Sequence, residues 1–164
     1  MKKILVIGCS GTGKSTFSQK LQAKLGIPLI HLDHQYWKPG WVRPDETEWE
    51  KHVQDLLQEE KWIMDGNYSG TFDLRIPAAD SVILLDRSRW LCAYRVVKRA
   101  FQGRTEPEIP SCSERVSFEL LRWILWRYPR RSRKKILEML EGLRVEKKIF
   151  ILKSEKEVEQ FLAE

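Results

Sequence analysis

Eight residues constrain this chain more than any others: "GCSGTGKS", Gly8 to Ser15. They satisfy G-x-x-x-x-G-K-[ST] at every fixed position. In front of them "KKILVIG" (2–8) reads as a buried strand. Behind them "GKSTFSQKLQAKLG" (13–26) reads as a helix, with Phe17, Leu21 and Leu25 on one face and Gly26 as its stop. Between a strand and a helix, such a loop can curl until successive N–H groups converge on one anion. The start of the helix adds its positive dipole end. Gly8, Ser10, Gly11, Thr12, Gly13, Lys14, Ser15 and Thr16 are therefore the candidate nucleotide-phosphate residues. Lys14 is placed to reach the β- and γ-phosphates of ATP, and Ser15 to ligate Mg²⁺. A chance Gly-rich turn would lack the flanking strand and helix. Cys9 reads as a small loop residue.

The rest of the chain repeats the same alternation. Strands are expected at "IPLIHLD" (27–33), "KWIMDG" (61–66), "SVILLD" (81–86) and "KKIFIL" (147–152). Helices are expected at 44–60, 88–103, 114–128, 130–143 and from Ser154 onward, with Pro129 separating the third from the fourth. Asp45 with Glu48, and Ser154 with Glu157, stand at capping-box spacing. The apolar runs are continuous rather than alternating, the pattern of a parallel sheet covered on both faces. With 164 residues and no linker or repeat, the chain reads as a single α/β domain spanning 1–164, a P-loop NTPase fold. Its seven tryptophans are expected to fill the core and the cleft walls.

Phosphoryl transfer depends on positioning and charge neutralisation. Three expected strands end in an acid, Asp33, Asp65 and Asp86, and ligands of an open α/β sheet gather at the carboxyl ends of strands. Asp65 is the best candidate for the Mg²⁺ side, and Asp86 reads as a cap for the following helix. Charge is unevenly placed: residues 87–135 hold fourteen Lys/Arg against four Asp/Glu, within a chain of net charge +6. That block calls for an anionic partner, either phosphates or nucleic acid. Arg95 and Arg99 lie one helical turn apart and emerge on one face. Arg104 lies at the base of a Pro-rich loop (104–113), and Arg127, Arg130, Arg131 and Arg133 stand where a second arm could close over phosphates.

"WIMDGNYSGTFDLR" followed by "ADSVILLDRSRWLCAYRVVKR" resembles adenylate kinase and its relatives. "HLDHQYWKPGW", "DGNYSGT" and "GRTEPEIPSCSER" resemble more closely the bacterial DNA topology modulation proteins, over essentially the whole chain. The resemblance implies a five-stranded sheet ordered 2-3-1-4-5 and a short helical lid, set here at 103–130. It implies ATP as donor, Asp65 in the Mg²⁺ water shell, Arg95 stacked on adenine, and Arg99 on phosphates. Arg104 would act from the lid, with Asn67, Arg75 and Arg130 at the acceptor. Two departures stand out. Adenylate kinases carry Gly after the P-loop lysine where this chain has Ser15, and the lid lacks a four-cysteine zinc set. The acceptor need not be AMP.

The stretch "HLDHQYWKPGW" (31–41) has three readings. A metal site would need more ligands than His31, Asp33 and His34 supply at strand spacing. A staple would place Trp41 against the helix near Trp49. A substrate pocket would use Asp33 to orient an acceptor hydroxyl or take its proton, and Tyr36 and Trp37 to stack on a planar acceptor. The expected catalytic set is Lys14, Asp33, Asp65, Arg99 and Arg104.

The favoured function is an ATP- and Mg²⁺-dependent kinase for a nucleotide, nucleoside or small metabolite. A nucleic-acid-associated NTPase is the second reading, and a non-catalytic nucleotide sensor the third. Three cysteines without a CxxC pair fit a reducing cytoplasm. The apolar run of "MKKILVIGC" is too short for an export signal, and no stretch is long enough to span a membrane. A monomer or a homodimer is expected.

Overall fold

The computed structural model describes residues 1–102 and 117–164. Arg104, Cys112 and the Pro-rich loop, and with them the first half of the expected lid, lie outside the described residues. Five strands, β1 (Lys3–Gly8), β2 (Leu29–His31), β3 (Trp62–Asp65), β4 (Ser81–Leu85) and β5 (Lys148–Leu152), form one parallel sheet in the order β2-β3-β1-β4-β5. The helices are α1 (Lys14–Leu25), α2 (Leu32–Tyr36), α3 (Glu46–Leu57), α4 (Phe72–Ala78), α5 (Arg89–Gln102), α6 (Phe118–Arg122), α7 (Arg133–Gly142) and α8 (Glu155–Ala163).

The continuous apolar runs become strands buried on both faces. Along β1, Leu5 and Ile7 enter one core with α3, α4, α5 and α7, while Ile4 and Val6 enter a second core with α1 and α8. The strands β3 and β4 alternate in the same way, Trp62 and Met64 against Ile63, and Val82 and Leu84 against Ile83 and Leu85. Each fully buried Leu, Ile or Phe contributes about 1.5–3 kcal/mol relative to exposure, so this two-sided packing fixes the register that positions the strand ends. Not every tryptophan joins in: Trp90 is 62% and Trp126 48% exposed.

Two elements differ from the sequence expectation. The second strand ends at His31, and the chain turns at once into α2, so Asp33 is carried by a helix. Pro129 does not divide two helices. Between α6 and α7 the chain runs on as a wide π-helical stretch, Trp123–Ser132. A proline ring clashes with the carbonyl four residues back and offers that carbonyl no N–H. A widened turn moves the carbonyl aside. The displaced group is Leu125 O, and Arg89 Nη1 donates to it at 3.0 Å. The helix thereby gains a tie to α5 at the point where its own ladder fails.

Asp45 caps α3 by accepting from Thr47 N at 2.9 Å, while Glu48 pairs with Lys38 at 3.1 Å instead of completing a box. Ser154 caps α8 by accepting from Glu157 N at 3.2 Å.

Candidate active site

Because the strands are parallel, their carboxyl ends share one edge, and β1 delivers the glycine loop there. Gly11 has φ +83°, and a Cβ on it would lie 2.4 Å from Cys92 O. Only glycine lets the loop press this closely onto α5. Within the loop, Cys9 O accepts from Thr12 Oγ1 at 2.8 Å and from Lys14 Nζ at 3.0 Å. The lysine ammonium is thereby held at the mouth of the loop. Cys9 itself is buried, and a hydrogen bond with the Cys92 thiol together with burial pushes its own thiol up. It is a packing residue between loop and α5.

The loop opens on a cavity of about 180 Å³ lined by Ser10, Lys14, Ser15, Asp33, Asp65, Arg95 and Arg99. Residues from β3, α2 and α5 thus meet the loop at one place. A neighbouring cavity of about 260 Å³ is lined by Thr16, Lys20, Arg87, Arg95, Glu155 and Val158, and Arg95 borders both. Arg95 is steadied by Thr12 O at 3.4 Å and by Glu155 at 3.3 Å, and Glu155 also binds Arg87 at 3.1 Å. Nothing in the sequence marked Glu155 or Arg87, because α8 follows β5 some sixty residues further on and only the sheet brings it back beside α5.

The two acids on the far side of the cavity are each held by one aromatic partner. Asp65 is 4% exposed, and its Oδ1 meets His31 Nδ1 at 2.8 Å. Its Oδ2 is buried with no hydrogen-bond partner. A buried carboxylate oxygen left open is costly unless something fills the place. Asp33 Oδ1 accepts from Tyr68 Oη at 2.6 Å. Burial, with the Asp33 charge beside it, pushes the Tyr68 phenol up and keeps it a donor. Tyr68 was not foreseen from sequence. It sits in a cluster with Tyr36 (centroids 4.5 Å apart) and Trp49 (5.4 Å), and Tyr36 also meets Trp37 edge-on at 5.0 Å. Trp49 thus packs against Tyr36, at 5.0 Å, as well as Tyr68, whereas Trp41 packs on Trp37 at 5.2 Å.

Several expected residues lie elsewhere. Arg75 was read as an acceptor contact, yet it is fully buried. Its Nε donates to Thr71 Oγ1 (2.9 Å), its Nη1 to Gly66 O (3.0 Å), and its Nη2 to Asn67 O (3.1 Å) and Tyr68 O (2.7 Å). Burial pushes its guanidinium down to about 9. Arg75 is the internal brace of the 66–71 loop that carries Tyr68 and Asn67. The Asn67 side chain leaves Oδ1 buried and without a partner.

Arg130 faces a separate groove with Phe118, Arg122, Trp126, Arg127 and Arg131, away from the glycine loop. Asp86 does not cap a helix. Its two oxygens accept from Arg133 Nε and Nη2, both at 2.7 Å, a fork that ties α7 to the end of β4.

Arg75→Lys tests the brace. One ammonium cannot reach four acceptors spread around a planar fork. We expect a loss of about 2 kcal/mol, a fall in Tm of about 4–8 °C for a chain of this size. Calorimetry measures it, and an unchanged Tm would mean the loop is held by other contacts.

No protein-family model matches the chain. Among curated proteins, it is similar to the uncharacterized protein YqaC of Bacillus subtilis (strain 168), 29% identical over 103 residues. That match takes in 62% of this chain and spans 58% of the relative's length. Among solved structures, deoxyadenosine kinase from M. mycoides aligns with 98% of this chain and 96% of its own, at TM-score 0.55 and 16% identity. A sugar kinase from Janibacter sp. HTCC2649 aligns with 99% and 93%, at TM-score 0.56 and 18% identity. The chain has the single-domain α/β fold of P-loop kinases, a five-stranded parallel sheet flanked by helices. These two solved structures are kinases, and the resemblance to DNA topology modulation proteins has no counterpart among the proteins named here. Among the described residues no helix is long and apolar enough to cross a membrane.

Proposed function

We propose that this chain is an ATP-dependent phosphotransferase whose acceptor presents a hydroxyl, as a nucleoside or a sugar does. The observation that carries the reading is Asp33, held by Tyr68 at 2.6 Å on the wall of the cavity that also contains Lys14. A phosphate acceptor is already an anion and needs no base. A hydroxyl acceptor must lose a proton, and a carboxylate with one oxygen engaged keeps the other for that proton. The burial of Arg75 supports the same choice, since the guanidinium that would have neutralised an acceptor phosphate is spent on loop carbonyls. Solved kinases of similar fold include enzymes named for deoxyadenosine and for a sugar, both alcohols.

In this reading the glycine-loop N–H groups and Lys14 hold the β- and γ-phosphates, while Arg99 neutralises charge as it builds. Arg95, which borders both the phosphate cavity and the cavity bounded by Glu155 and Val158, would stack on the donor base. Asp33 takes the proton as the acceptor oxygen bonds to the γ-phosphorus, and the bond from that phosphorus to the β–γ bridging oxygen breaks to release ADP.

The residues fit Mg²⁺: Asp65 Oδ2 is a buried open oxygen, and Ser15 lines the same cavity. Ser15 and Asp65 would hold the ion, which when bound would supply positive charge against the donor phosphates.

A screen of nucleosides, sugars and small alcohols beside their monophosphates for acceptor-dependent ADP release tests this. Hydroxyl acceptors should exceed the matching monophosphates by at least about a hundredfold, the scale of general-base assistance. A preference for monophosphates would overturn it.

The nucleic-acid reading draws on one observation, the groove in which exposed Phe118 and Trp126 lie among four arginines. Steep loss of DNA binding with rising salt would favour it.

A further inference from the structure

We propose that His31 is a positioning residue that fixes the magnesium-side carboxylate, a role that rests on the phosphotransferase reading. His31 ends β2 and Asp65 ends β3, and the sheet register sets these two residues directly opposite each other. Their side chains meet across the ladder at 2.8 Å, Nδ1 to Oδ1. The imidazole is itself braced by the His34 ring, with centroids 5.0 Å apart. Nδ1 carries a proton in one neutral tautomer and in the imidazolium alike, so the bond does not depend on His31 gaining charge.

One oxygen of Asp65 is thus occupied, and the other, Oδ2, is the open one. The hydrogen bond decides which oxygen is free and prevents the carboxylate from rotating between two arrangements. Outer partners of this kind hold metal-side ligands in place, and their loss typically weakens metal binding about 10–100-fold. A carboxylate freed of His31 would keep its charge buried with no donor, and would turn to find one. The sequence drew attention to His31 through the "HLDH" stretch, where a direct metal ligand seemed one option. Its Nδ1 is engaged by the acid itself.

Isothermal titration of ADP, in EDTA and in Mg²⁺, into wild-type protein, His31→Ala and His31→Asn tests the role without requiring turnover. In His31→Ala the enhancement of ADP affinity by Mg²⁺ should fall about tenfold, while affinity in EDTA stays within about twofold. His31→Asn presents an amide N–H near the place of Nδ1–H, and should keep the enhancement within about threefold of wild type. Enhancement in His31→Ala equal to wild type, or His31→Asn impaired as much as His31→Ala, would overturn the role. If His31→Ala melts before it can be titrated, His31→Asn against His31→Leu decides on the same criterion. Wild-type protein whose ADP affinity ignores Mg²⁺ would overturn the phosphotransferase reading itself.

Discussion

Lys14→Ala is expected to lower ATP turnover by about a hundredfold to a thousandfold, with Tm within a few degrees of wild type. Both halves follow from where the side chain sits. Among the described residues its ammonium has one hydrogen-bond partner, Cys9 O at 3.0 Å, which also accepts from Thr12 Oγ1. Removing Lys14 therefore leaves no buried group without a partner, and the loop keeps the packing of Gly11 on Cys92. The transferring phosphoryl group, by contrast, loses a preorganised cation. Losing one such contact typically costs about 3–4 kcal/mol in the barrier. Single-turnover kinetics beside a melting curve separate the two effects. Wild-type turnover in the variant would remove the glycine loop from the catalytic site.

The glycine loop was legible in sequence because every constraint on it is local: a strand, a turn that needs positive φ, and a helix start. Asp65 at the end of β3 was legible for a related reason, since parallel strands place their carboxyl ends on one edge, whereas Asp33 reaches that edge from α2 and not from a strand. What those acids touch was not. Tyr68 reaches Asp33 across 35 positions, and His31 reaches Asp65 across 34. Such pairs exist only once β2 and β3 are in register. Arg75 shows the opposite error. Its neighbours in "DGNYSGTFDLR" invited a substrate role, yet a sequence does not reveal that four carbonyl and hydroxyl oxygens of a tight loop will converge on one guanidinium. Pro129 misled for a similar reason, since the donor that satisfies the freed Leu125 carbonyl, Arg89, belongs to another helix. In each case the missing information is a contact distant in sequence that changes what a locally correct rule produces.

Asp33→Asn is the substitution that separates chemistry from packing in the stretch "HLDHQYWKPGW". The amide is nearly isosteric with the carboxylate, and its oxygen can still accept from Tyr68, so the aromatic cluster of Tyr36, Trp49 and Tyr68 should hold. The second oxygen becomes an NH₂ group, which donates and cannot take a proton. If Asp33 is the base for an acceptor hydroxyl, turnover should fall about a hundredfold, the lower end of general-base effects, or about 2.7 kcal/mol in barrier. ATP affinity should stay within about twofold, because the donor phosphates are held by the loop on the other side of the cavity. The measurement is a titration of ATP into both proteins, followed by steady-state turnover with the best acceptor from the screen. Equal losses of ATP affinity and turnover would move Asp33 to the donor side. Unchanged turnover would leave Asp33 with Tyr68 as a structural pair, and the base would have to be sought elsewhere. A fall in kcat alone, with Tm preserved, is the result that the 2.6 Å bond and the shared cavity lead us to expect.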